Sequence, residues 1–174
     1  RDLHLSIRRQ RQMCIRDSTP TLDTSAYAGH DLLFDKVEIP NFTSSRGGVS
    51  ELVNISVHSK TSTDVDLTIM FFDNSTSLGA NANDATSEIT TAEFRTASFQ
   101  GAVLLNHGGA SVSPGNGRIY MSNSNVDNIM GLPLVLKSGE GSTSVWFAVT
   151  NTDSSTPTYA ADGLEFTFNV KYID

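Results

Sequence analysis

Residues 164–172 constrain the fold more than any other stretch of this chain. Leu164, Phe166, Phe168, Val170 and Tyr172 alternate with Glu165, Thr167, Asn169 and Lys171. An apolar side chain at every second position suits a strand with one buried face and one wet face. Such a strand is not stable alone. It needs neighbours in a sheet and a second layer over its apolar side.

The rest of the chain supplies candidates for both. Val53, Ile55 and Val57 share one face, with Asn54, Ser56 and His58 on the other. Val65, Leu67, Ile69 and Phe71 alternate with Asp66, Thr68, Met70 and Phe72. The end of this segment is apolar on both faces, which predicts a place inside a sheet. The short polar turn Thr61 to Asp64 separates the two segments, so together they read as a hairpin. Val145, Phe147 and Val149 oppose Trp146, Ala148 and Thr150. Further strands are predicted over 33–39, stopped by Pro40, and over 98–105, 118–121 and 132–137. Helical periodicity is confined to a single predicted turn over 90–95. Residues 73–87 form a loop rich in Asn, Ser, Ala and Asp, and loops longer than about 12 residues are often functional. Residues 106–117 form a glycine-rich connection.

This pattern of about eight strands with no useful helix predicts an all-β fold. The expected architecture is an antiparallel two-sheet sandwich, jelly-roll-like, forming one domain over 31–174. The chain has 174 residues, 38% hydrophobic and 18% charged. That length is enough for one core without disulfides or metal. The low charge suits exposed strand faces built from Ser, Thr and Asn.

The first eighteen residues differ from the remainder. Arg8 to Ser18 resembles translated sequencing-adapter read-through, and residues 1–18 are set apart from the fold on that ground. They carry five of the twelve Lys and Arg; without them seven basic residues face seventeen acidic ones, a net charge of −10. They also hold Cys14, the one cysteine. The expected domain therefore has no disulfide, thiol nucleophile or thiolate metal site. An acidic domain does not suit nucleic-acid binding, which requires clustered Lys and Arg. No apolar run approaches the ~18 residues of a membrane span, so no membrane partner is expected. Residues 19–30 read as an irregular N-terminal arm, long enough to reach a neighbour.

No catalytic apparatus is apparent, and the chain is read as a non-enzyme. His30, His58 and His107 lie far apart without metal-ligand spacing and read as polar surface residues. No Gly-x-Ser-x-Gly elbow supports a catalytic triad. Asp64 and Asp66 are two apart on one strand and read as facing solvent together. Asp73 and Asp84 flank the long loop and offer oxygen ligands to Ca²⁺, but the EF-hand spacing is absent. They read as solvated loop carboxylates, so no metal, catalytic or cofactor site is assigned. The glycines at 108, 109, 115 and 117 lack the Lys-Ser/Thr of a phosphate loop. Asn-x-Ser/Thr sequons at Asn41, Asn54 and Asn74 occur at the frequency chance gives. Trp146 reads as core packing, since a carbohydrate platform uses several exposed planar aromatics.

Two stretches carry a resemblance. Leu67 to Asn74, followed by Leu78-Gly79, resembles the central strand and turn of small virion proteins of tailed bacteriophages, especially marine ones. Gly131 to Lys137, Ser142 to Val149 and Pro157 to Phe168 are similar to the C-terminal half of the same proteins. The resemblance implies a head decoration or cement protein located in the virion. Such proteins are often trimeric, bind the major capsid protein across adjacent subunits and stabilise the shell. The alternative is a carbohydrate- or receptor-binding module of a tail fibre or spike.

Overall fold

The alternation over 164–172 is satisfied as its pattern demands. Leu164, Phe166, Phe168 and Val170 are fully buried, and the intervening residues face outward. The structure is a computed structural model that describes residues 13–107, 111–112, 117–122 and 132–173. The glycines at 108, 109 and 115 lie outside the described residues. Among the described residues, ten strands, one 3-10 turn at Thr86–Glu88 and one short α-helix follow in chain order: β1 Met13–Ser18, β2 Leu32–Ile39, β3 Val49–Ser59, β4 Leu67–Phe72, α1 Thr91–Thr96, β5 Phe99–Leu105, β6 Ser111–Val112, β7 Arg118–Met121, β8 Leu134–Lys137, β9 Val145–Asn151 and β10 Leu164–Ile173.

The strands form two antiparallel sheets, so the expected all-β sandwich is the observed fold. The larger sheet runs β1-β10-β3-β7-β6, with β8 also paired to β3. The eleven-residue β3 is long enough to hold two partners on one side. β7 takes Ser56–Ser59 and β8 takes Val49–Leu52. The smaller sheet runs β2-β9-β4-β5. Phe147 of β9 joins the two sheets. Its ring lies edge-on to Phe34 (5.3 Å), Phe166 (5.2 Å) and Phe168 (4.9 Å) between centroids. Such pairs add directional attraction to the burial of apolar area.

A third layer covers the outside of the smaller sheet. Leu32, Met70, Phe72, Leu78, Ala97 and Ala148 form a second apolar cluster, closed by Ile89, Phe94 and Trp146. This is why β4 is apolar on both faces: Ile69 and Phe71 face the main core, and Met70 and Phe72 face the outer cluster. The expected helical turn is α1. The Thr90 side chain accepts from Glu93 N–H while the Glu93 carboxylate accepts from Thr90 N–H, a capping box. Gly79 (φ +78°) lies against this cap, and a Cβ there would stand 2.2 Å from Glu93 Oε1.

The structure corrects or extends several expectations. β3 and β4 are not a hairpin: β3 belongs to the larger sheet and β4 to the smaller. Residues 60–66, polar except for the buried Val65, carry the chain across the sandwich. Leu52, Ile55 and Val57, rather than Val53, fill the buried face of β3. Asn54 pairs with Asn169 and Leu52 with Val170, so Val53 is the extra residue of a bulge that shifts the alternation. Residues 19–30 are largely irregular but not free. Leu22 and Tyr27 are buried in the main core, and the Tyr27 hydroxyl donates to the Leu33 carbonyl at 3.1 Å. Finally, Met13–Ser18 pairs with Phe166–Lys171 along the edge of β10. Its resemblance to adapter read-through concerns origin. In the fold these residues are an edge strand.

Candidate functional site

Two regions bring polar or reactive groups together. The first is the outer face of the larger sheet. Cross-strand register places side chains in rows on this face. Met13, Lys171, Glu51 and Val135 form one row. Asp17, Thr167, Ser56 and Met121 form another, and Glu165, His58 and Ile119 a third. Lys171 pairs with Glu51, and His58 Nδ1 lies 3.9 Å from Glu165 Oε2. Between these pairs the surface is small and polar, while Met121 and Val135 are 43% and 56% exposed. A shallow hollow of about 350 Å³ lies among Asp17, Ser56, His58, Ile119, Glu165 and Thr167. No third layer covers this sheet among the described residues.

The second region is at one end of the smaller sheet. β4 is central, with β5 on one side and β9 on the other. Leu67 is opposite Leu105 in β5 and opposite Asn151 in β9. The residues just beyond these ends therefore converge. Asp66 precedes β4, His107 follows β5 and Asp153 follows β9. Donor atoms of all three lie within 4.8 Å of one another. His107 Nδ1 is 2.7 Å from Asp66 Oδ1 and 4.0 Å from Asp153 Oδ2. The His107 N–H donates to Asp66 Oδ1 at 2.8 Å, and the Asp66 N–H to Asp153 Oδ2 at 2.9 Å. Asp153 Oδ1 accepts from the Ser155 N–H at 2.7 Å. All three side chains are partly exposed.

Asp64 takes a different course from Asp66. Its Oδ1 lies 2.6 Å from Arg118 Nε, an ion-pair contact without hydrogen-bond geometry. The expectation that Asp64 and Asp66 act alike is thereby corrected, because residues 60–66 cross between sheets and are not part of a regular strand. Asp73 and Asp84 belong to separate local networks. Asp73 Oδ1 accepts from the Asn74 amide, and Asp84 Oδ2 accepts from the Asn81 N–H. Trp146 is half-buried against the outer apolar cluster.

Nearby tyrosines stay neutral. Burial pushes the Tyr27 hydroxyl up to about 12, and pushes Tyr120 and Tyr159 upward as well. The neighbouring carboxylates act in the same direction. An open hollow of about 250 Å³ beside α1, lined by Met70, Ile89 and Phe94 among others, carries no titratable group among its lining residues.

No family model, curated protein or solved structure matches the chain. Sequence reasoning missed the joining of Asp66, His107 and Asp153. Their spacing carries no motif, and the signal is the pairing of β4 with both β5 and β9.

Proposed function

We propose that this chain is a structural protein of a tailed-phage virion, a head decoration or cement protein that binds the outer capsid lattice. The observation that carries this reading is the outer face of the larger sheet, which no third layer covers among the described residues. Ile119, Met121 and Val135 lie at its β7–β8 side and small polar groups in its middle. The charged residues of its rows are Asp17, Glu51, Glu165 and Lys171, of which Glu51 and Lys171 pair with each other. Exposed apolar residues beside a centre of small polar groups suit a protein partner. These residues belong to β3, β7, β8 and β10, so the reading does not depend on the adapter-like β1. The phrases over 67–79 and 131–168 support it by resemblance. The mechanism is adhesion: a rigid sandwich laid across capsid subunits, alone or as a homo-oligomer, adds contact area without chemistry. A glycan-binding module has less support, because the lone Trp146 is half-buried against the outer cluster.

Mass spectrometry of gradient-purified virions tests the proposal. Peptides of this chain are expected in stoichiometric amount with the capsid protein. A folded Met121→Glu/Val135→Lys variant is expected to be lost from the particles. Virions without the chain, or full incorporation of that variant, would overturn the reading.

A further inference from the structure

The Asp66–His107–Asp153 cluster combines one imidazole and two carboxylates, delivered by three segments distant in sequence. We propose that it is a binding site for a divalent transition-metal cation of the Zn²⁺ class. The argument is geometric first. Zinc sits about 2.0–2.2 Å from imidazole nitrogen and carboxylate oxygen, so tetrahedral ligands stand about 3.4 Å apart. The two donor separations measured at His107 Nδ1, 2.7 Å and 4.0 Å, bracket that spacing. Donor atoms of all three residues lie within 4.8 Å of one another, close to the spacing a tetrahedral ion needs.

The donors are held in position by the fold. The Asp153 carboxylate is oriented by the N–H groups of Asp66 and Ser155. Asp66 is anchored at the start of the central strand β4, where its carbonyl accepts from the Thr152 N–H at 2.8 Å. The site is also open on one side. The side chains of Asp66 and Asp153 are 21% and 20% exposed and that of His107 is 39% exposed, so water can fill the fourth position. Arg118, the neighbouring guanidinium, is committed to Asp64.

The donor set selects the cation. Imidazole with two carboxylates suits Zn²⁺ and its neighbours in the first transition row. Ca²⁺ requires six to eight oxygen ligands, and one nitrogen with two carboxylates falls short of that. On binding, the imidazole nitrogen that takes the metal gives up any proton it carries to water, so affinity falls as the solution is acidified. A bound ion would clasp the ends of β4, β5 and β9 together.

Isothermal titration and thermal melts of the chelator-stripped, full-length chain with ZnCl₂ and CaCl₂ test this site. One Zn²⁺ per chain and a raised Tm are expected with zinc, and no shift is expected with calcium. His107→Gln and Asp153→Asn are each expected to weaken zinc binding at least about tenfold, typical of the loss of a ligand or its support. Asp64→Asn, His58→Gln and Cys14→Ser are expected to bind as the parent does. Failure of the parent chain to bind zinc, undiminished binding in His107→Gln, or an equal response to calcium would overturn the proposal. If Asp153→Asn does not fold, His107→Gln decides alone, since its ring is the most exposed of the three.

Discussion

The backbone N–H of Asp66 donates to the Asp153 carboxylate at 2.9 Å, across 87 residues of sequence. The contact ties the segment entering β4 to the segment leaving β9. The same carboxylate accepts from Ser155 N–H and thereby shapes its own turn. Replacement of Asp153 by Ala removes both acceptors. We expect a loss of about 1–3 kcal/mol, the usual cost of leaving partly buried donors unpaired. Urea unfolding measures it, and an unchanged midpoint would contradict this role.

The packed segment over 19–30 makes a second prediction. Tyr27 is fully buried, donates to the Leu33 carbonyl and accepts from the Asp23 N–H at 2.7 Å. Tyr27→Ala is expected to cost about 3–5 kcal/mol, as large aromatic truncations in cores do. Tyr27→Phe keeps the ring and is expected to cost about 1 kcal/mol for the lost hydrogen bonds. A free arm would show neither loss in denaturant titrations.

Gly79 is expected to resist substitution. Its φ of +78° disfavours any side chain, and a Cβ would strike the Glu93 carboxylate. Gly79→Ala therefore strains the backbone and displaces the capping carboxylate from Thr90. A loss of about 1–3 kcal/mol is expected from the strained conformation. Thr90→Ala, which removes the cap alone, is expected to lose about 1 kcal/mol. Hydrogen exchange over 90–97 distinguishes the two variants from changes elsewhere.

Alkaline pH is expected to unfold the protein through its buried tyrosines. In the unfolded chain tyrosine ionises near about pH 10. Burial holds the proton on Tyr27 to about 12, and shifts Tyr159 in the same direction. A raised folded value contributes stability that is complete below about pH 10 and disappears as pH rises through the folded value. Tm is expected to fall between about pH 10 and 12. Tyrosinate absorbance from these residues should rise together with unfolding, and Tyr27→Phe should make the decline shallower. Ionisation of Tyr27 in the intact fold at pH 10 would refute the argument.

Sequence periodicity was sufficient wherever one strand faces one core. The last strand was legible on that basis, and β9 was legible to within a residue. The partners of β3 and β4 were not, because a short polar link such as 60–66 looks the same in a hairpin and in a crossing between sheets. Val53 misled for a different reason: a one-residue bulge reverses the face on which an apolar residue appears. His107 looked isolated because its neighbours are set by strand register, and no local spacing records it. Tyr27 shows the opposite case, an irregular segment that is buried because its aromatic ring completes the core.

The two sides of the sandwich are unlike. One sheet is roofed by the 73–97 segment, and none of the described residues roofs the other. Anything seated on that other side necessarily leaves the roof and its Asn81–Asp84 turn directed away from the contact. The molecule therefore has a built-in up and down. A short epitope grafted at that turn would be displayed toward the medium in every docked copy, and its accessibility to an antibody would report which way the subunit lies.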